Sequence, residues 1–216
     1  MPDPLIERIK GNVRFQELIS KAWDIFYIEG RRPDVGVRRE NFIKMAIQKE
    51  LGLRLESAPS LERQVDFYVI IGGRRRPYSL KTMESVGTMK VAWDSYPDVE
   101  RLREAARCFE FKAPILFFHR EGIYVFEVED IERVRRELGF DGFWAIPRRD
   151  VNPRGFGIKG RALRRLMEIA REKGNFVRLT PVRLDLDKVR GAYLEGWYEL
   201  IKRLVLTSDE LTERPL

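Results

Sequence analysis

The stretch Asp66–Thr82, DFYVIIGGRRRPYSLKT, constrains the fold more than any other part of the chain. Two β-forming runs flank Gly72-Gly73, and a glycine pair reaches the positive φ that tight hairpin turns demand. Antiparallel pairing brings the open ends of such a hairpin together, so Asp66 on one strand approaches Ser79-Leu80-Lys81 on the other. Alternation places Ser79 and Lys81 on one face of the sheet and Leu80 on the other. A carboxylate and an ammonium therefore meet where a buried sheet would prefer valine. Taken singly, each has a plain structural reading. Asp66 can cap a strand start, and Lys81 can be the charge that keeps an edge strand from pairing with another chain.

The flanking sequence frames this hairpin as part of an α/β sheet. Leu5, Ile9, Phe15, Leu18, Ile19, Ala22, Trp23, Phe26 and Tyr27 recur at helical spacing. Pro33 and Gly36 break that pattern, and a second helix follows with Phe42, Ile43, Ala46, Ile47 and Leu51 on one face and Gly52 at its end. SAPS reads as a loop. After the hairpin, TMKVAW is expected to form a third strand, PDVERLREAARCFE a helix, and APILFFH and IYVFEVE two more strands. EDIERVRRELG reads as a helix ended by its glycine, and Gly160–Lys173 as a basic helix. NFVRLTPVRLD has strand character, and DKVRGAYLEGWYELIKRLVL is an amphipathic closing helix. This order predicts a sheet with helices on its faces.

Composition narrows the chemistry. With one cysteine, Cys108, and one histidine, His119, in 216 residues, neither an internal disulfide nor a His-rich zinc site can form. Any metal would be a hard ion held by carboxylates and backbone oxygens. No P-loop, dinucleotide fingerprint or Ser-His-Asp arrangement is visible. The net charge of +7 suits a polyanionic partner. The 35% charged residues, with few Asn and Gln, equally fit a thermophile's surface. MPDPLIERIK lacks the basic-then-apolar order of a secretory signal, so a cytoplasmic protein is expected.

Asp66 followed by Ser79-Leu80-Lys81 on a hairpin behind a helix resembles the PD-(D/E)XK nuclease superfamily. The helix VGVRRENFIKMAIQKELG, with Glu40 one turn in, and SLKT followed by KVAW are similar to the ThaI-like archaeal type II restriction endonucleases. The likeness runs from about Val35 to Phe118. It implies a nuclease-like αβββαβ core, a mixed sheet flanked by helices, with helical N-terminal and basic C-terminal elaborations. The expected organisation is one domain over residues 1–216, with the core at about 35–128 and the elaboration at 129–216. The implied activity is Mg²⁺-dependent, sequence-specific cleavage of double-stranded DNA by Glu40, Asp66, Ser79 and Lys81, with Asp66, Glu40 and the Leu80 carbonyl holding the metal. Ser79 stands where the superfamily usually has a second acid, which leaves Glu40 to supply that charge. A repair or Holliday-junction nuclease shares this core, and a non-catalytic basic DNA-binding protein is the alternative of a different class.

Basic residues suggest where DNA would lie. Arg74, Arg75 and Arg76 on the hairpin turn are expected close to the site, and Arg31, Arg32, Arg38 and Arg39 flank the start of the Glu40 helix. Lys90 follows on the next strand. The glycine-rich loop PRRDVNPRGFGIKGR adds Arg148, Arg149, Asn152, Arg154, Lys159 and Arg161 as a recognition element. Cutting both strands with one site per chain calls for a homodimer. Its interface is expected on the N-terminal helices, with Trp23, Phe26 and Tyr27, or on the closing helix, with Tyr193, Trp197 and Tyr198. A methyltransferase protecting the same DNA site would complete the implied system.

Overall fold

The structure is a computed structural model that describes residues 1–26, 35–59, 62–147, 154–180, 182 and 184–212. Three helices come first: α1 (Pro4–Lys10), α2 (Val13–Ile25) and α3 (Val35–Glu50). Asp3 starts α1 in the way its sequence suggests, accepting the Leu5 and Ile6 backbone N–H groups ahead of a proline in the first turn. A meander follows, made of β1 (Arg54–Ser57), β2 (Phe67–Ile71) and β3 (Arg74–Met83). Then come β4 (Met89–Lys90), α4 (Val99–Arg107), β5 (Ile115–His119), β6 (Gly122–Phe126), α5 (Val128–Phe143), β7 (Trp144–Ala145), β8 (Gly157–Ile158), α6 (Gly160–Glu172), β9 (Phe176–Arg178) and α7 (Leu186–Thr212).

Six strands form one sheet in the order β1-β2-β3-β5-β6-β9. β3 and β5 run parallel, with Lys81 opposite Phe117, and every other pairing is antiparallel. Every residue of β5 and β6 is buried, as expected of central strands covered on both faces. On one face, Leu80, Leu116, Phe118, Ile123 and Val125 pack against α1, α2 and α3 through Ile9, Phe15, Ile43 and Ile47. On the other, Ile115, Phe117, Tyr124 and Phe126 pack against residues of α4, α5 and α6, including Leu102, Val134 and Leu166.

The αβββαβ core is present as α3, β1–β3, α4 and β5, but its third strand is not the expected one. TMKVAW contributes only Met89 and Lys90 as strand, and they belong to a separate three-stranded sheet, β4-β8-β7. The third strand is β1, which precedes the hairpin and pairs Leu55 with Val69. Its four residues, RLES, include two charges on an edge, so the apolar signal is too weak to see. α5 breaks where its glycine predicts, with Gly139 at φ 65°, and then makes one further turn to Phe143. The C-terminal half also completes the core, because β9 closes the sheet edge next to β6. Trp23 is 3% exposed and sits in the core, so its helix does not offer it to a partner. Tyr27 lies outside the described residues.

Candidate active site

The site lies at the open end of the β2–β3 hairpin. The ladder runs one residue past β2, where the Asp66 N–H donates to the Tyr78 carbonyl at 2.9 Å. That fixes the Asp66 carboxylate beside the next residues of β3. Its Oδ2 accepts the Leu80 N–H at 2.6 Å and the Ser79 hydroxyl at 3.2 Å. Lys81 Nζ stands 3.5 Å from the same oxygen and donates to the Leu80 carbonyl at 3.0 Å. Asp66, Ser79, Leu80 and Lys81 thus converge as the alternation of the strand dictates.

Glu40 approaches from α3. It is one turn before Ile43 and two before Ile47, on the face that packs on the sheet. The helix extends past the apolar contact, so Glu40 shares with Lys81, Thr82, Lys90 and Trp93 a cleft of about 260 Å³. Burial raises its carboxyl above the usual 4.5, Lys81 opposes that shift, and Asp66 adds to it. Glu40 thus feels the charges of both hairpin residues.

Ser79 suits its surroundings. Ser79 is 8% exposed and borders a small void with Val91, Phe111 and Ile115. A carboxylate turned into that apolar wall would be desolvated, whereas the hydroxyl is satisfied by Asp66. The donor set left for a cation is the Asp66 and Glu40 carboxylates and the Leu80 carbonyl. All are hard oxygens, which suits Mg²⁺ with water filling its remaining positions. Among the described residues, no three His, Cys, Asp or Glu side chains converge as a metal cluster.

The basic residues divide sharply. The hairpin turn is at the wrong end: Ile71 pairs with Arg74, and Arg74 lies seven residues along β3 from Lys81, about 23 Å of strand. A hairpin's turn and its open ends are necessarily opposite, so Arg74–Arg76 are not beside the site. Arg76 is committed to Asp3 at 2.7 Å and Glu127 at 2.8 Å. Arg75 pairs with Glu56 at 3.2 Å and stacks on Tyr68, while Arg74 is exposed. Arg39 is 6% exposed and packs over the Trp23 ring, whereas Arg38 is on the surface. Lys159 Nζ donates to the Asp141 carbonyl and Arg161 Nε to the Gly142 carbonyl, both at the end of α5. These two serve the helix terminus. Arg31, Arg32, Arg148, Arg149 and Asn152 lie outside the described residues.

What remains at the cleft is Lys90, whose ammonium reaches the Arg154 carbonyl at 3.0 Å and lies 4.7 Å from the Trp93 ring centre. Trp93 is 69% exposed and was not singled out by its sequence, where it reads as the end of an apolar run. Gln64 was also silent. It holds a left-handed φ of 70° two residues before Asp66, a strained conformation of the kind that gathers at functional sites.

No family model matches the sequence, and no curated protein matches it. A solved structure described as a "restriction endonuclease in complex with substrate DNA" superposes with a TM-score of 0.58 at 20% sequence identity, over 90% of this chain and 94% of the other. The chain has a restriction-endonuclease-like fold. Within that fold, the hairpin end and the α3 terminus form the cleft just described. No described helix is long and apolar enough to cross a membrane.

Proposed function

We propose that the protein is a Mg²⁺-dependent, sequence-specific endonuclease of double-stranded DNA, a type II restriction enzyme of the ThaI-like kind. The observation that carries this reading is the convergence of Asp66, Ser79, Leu80 and Lys81 at one hairpin end, with Glu40 sharing a cleft with Lys81, on a restriction-endonuclease-like fold. In this reading Asp66, Glu40 and the Leu80 carbonyl hold Mg²⁺. When bound, the ion supplies Lewis acidity at the scissile phosphate and a more acidic water. Lys81 places its ammonium against the non-bridging phosphate oxygen and orients the attacking water. Ser79 and the Leu80 N–H hold the Asp66 carboxylate in one rotamer. Water attacks phosphorus in line, the bond to the 3′-oxygen breaks, and a 5′-phosphate and a 3′-hydroxyl are left.

Lys90 and Trp93, which line the cleft, the exposed Arg38 on α3 and the exposed Arg154, whose carbonyl Lys90 reaches, are assigned to the DNA backbone. A homodimer in the cytoplasm, acting on DNA that a methyltransferase protects at the same site, completes the proposal. The test is digestion of a long unmethylated DNA with Mg²⁺, beside EDTA and Lys81→Ala controls. Discrete fragments from the unaltered protein alone support it. A smear or junction-selective cutting would move the reading to a repair or Holliday-junction nuclease. Binding without cutting would leave a non-catalytic DNA-binding protein.

A further inference from the structure

α7 carries an apolar stripe that the other described residues leave open. Leu194, Trp197, Tyr198 and Ile201 follow the i, i+3, i+4, i+7 spacing of one helix face. They are 66%, 50%, 60% and 52% exposed. Scattered single apolar residues need no explanation, but four on one stripe at the middle of a 27-residue helix form a patch that seeks a partner. Leu200, 53% exposed, widens the stripe on one flank.

The opposite flank says which partner. Lys188, Glu195 and Lys202 recur every seven residues, which keeps them on one side of the stripe. Their signs alternate: plus, minus, plus. A two-fold axis perpendicular to a helix pair makes the pair antiparallel and sets each flank against the same flank of the second copy, in reverse order. With the axis midway between positions 195 and 202, Glu195 meets Lys202 and Lys202 meets Glu195. Both pairs are opposite in charge. A parallel pair would instead set this charged flank against the one that carries Tyr193 and Leu200, where it finds no counter-charge.

We infer that α7 pairs with α7 of a second copy of this chain in an antiparallel arrangement, with the two-fold axis between Tyr198 and Glu199. The apolar stripe supplies the adhesion and the alternating charges select orientation and register. The inference does not rest on the nuclease reading, since neither the stripe nor the charges belong to the cleft.

The test uses the full chain in sedimentation velocity over a concentration series. The unaltered protein is expected to dimerise, and Trp197→Ala to weaken the dimer. Glu195→Lys and Lys202→Glu each place like charges opposite one another, so each is expected to weaken the dimer by about tenfold or more. Mixed in equal amounts, the two variants restore every opposite-charge pair and are expected to form a heterodimer. The double variant Glu195→Lys/Lys202→Glu is expected to dimerise on its own. Circular dichroism of each variant separates lost pairing from lost folding, because these exposed positions should leave the melting temperature of the body unchanged. A monomeric unaltered protein, or a dimer indifferent to Trp197→Ala and to both single charge reversals, overturns the inference. A dimer weakened by Trp197→Ala but not rescued in the mixture overturns the antiparallel register.

Discussion

Lys81 sits 21% exposed between the Leu80 carbonyl and Asp66, held as a donor aimed into the cleft. Its substitution by alanine is expected to cut DNA cleavage by about 10²–10³-fold, the cost of removing one placed electrostatic donor. DNA affinity in Ca²⁺ or EDTA should change little, which a gel-shift beside the cleavage assay checks. Glu40 makes a prediction of opposite sign for stability. Its carboxyl titrates above the ordinary 4.5 in the folded chain, because burial disfavours its charge more than Lys81 favours it. The folded state therefore holds that proton more tightly than the unfolded one. Stability from this group is present below the unfolded value and is lost as pH rises through the raised folded value. Glu40→Gln removes the buried charge, so without metal the variant should melt higher than the unaltered protein near pH 7, with the difference shrinking toward about pH 4. Mg²⁺ should raise the melting temperature of the unaltered protein and have less effect on the variant. Thermal scans across that range, with and without Mg²⁺, check both.

At the scale of elements, the face of β3 turned toward α1 is a structural anchor. Asp3 is 2% exposed and joins the α1 N-terminus to Tyr78 at 3.0 Å and to Arg76 at 2.7 Å. Burial and the nearby Asp3 carboxylate push the Tyr78 hydroxyl well above its ordinary range, which keeps it a neutral donor. Arg76→Ala strips a partner from a buried carboxylate and is expected to cost about 3 kcal/mol, read as a lower midpoint in urea unfolding. Cleavage measured well below that midpoint should survive, in contrast to Lys81→Ala. The small sheet is the other sensitive element. Gly155 has φ 63°, and a Cβ there would meet the Ala92 carbonyl oxygen at 1.9 Å. Gly155→Ala should therefore displace the segment that carries Lys90 and Trp93. Tryptophan fluorescence and DNA affinity should both report it.

At the scale of the molecule, the charge of +7 acts as a field rather than as contacts. If DNA is the partner, affinity should fall by about 10³ between 50 and 200 mM salt. A shallow salt slope would argue that the cleft does not hold a phosphate backbone. Such a titration is independent of cleavage.

Much of this was legible before the fold was known, and the reason is local. Hairpin alternation is a period-two property of the backbone, so the meeting of Asp66 with Ser79 and Lys81 follows from the turn glycines alone. Glu40 comes from the resemblance, and its spacing to Ile43 and Ile47 agrees with it, whereas α6 and α7 follow from helical periodicity and their breaks. The alternating charges on α7 are likewise written in the chain. What only the tertiary structure decided concerns contacts between residues far apart. The strand that completes the meander is the polar RLES segment, because an edge strand is held by backbone pairing and needs little apolar signal. The hairpin itself set the turn arginines away from the site, but that Arg76 serves as a buried structural cation was decided by Asp3, 73 residues earlier, and Glu127, 51 residues later. Lys159 and Arg161 became helix-end ligands only once α5 and α6 packed together. Charge is visible in a sequence, but whether a cation meets solvent, a ring or a buried carboxylate depends on what the fold brings to it.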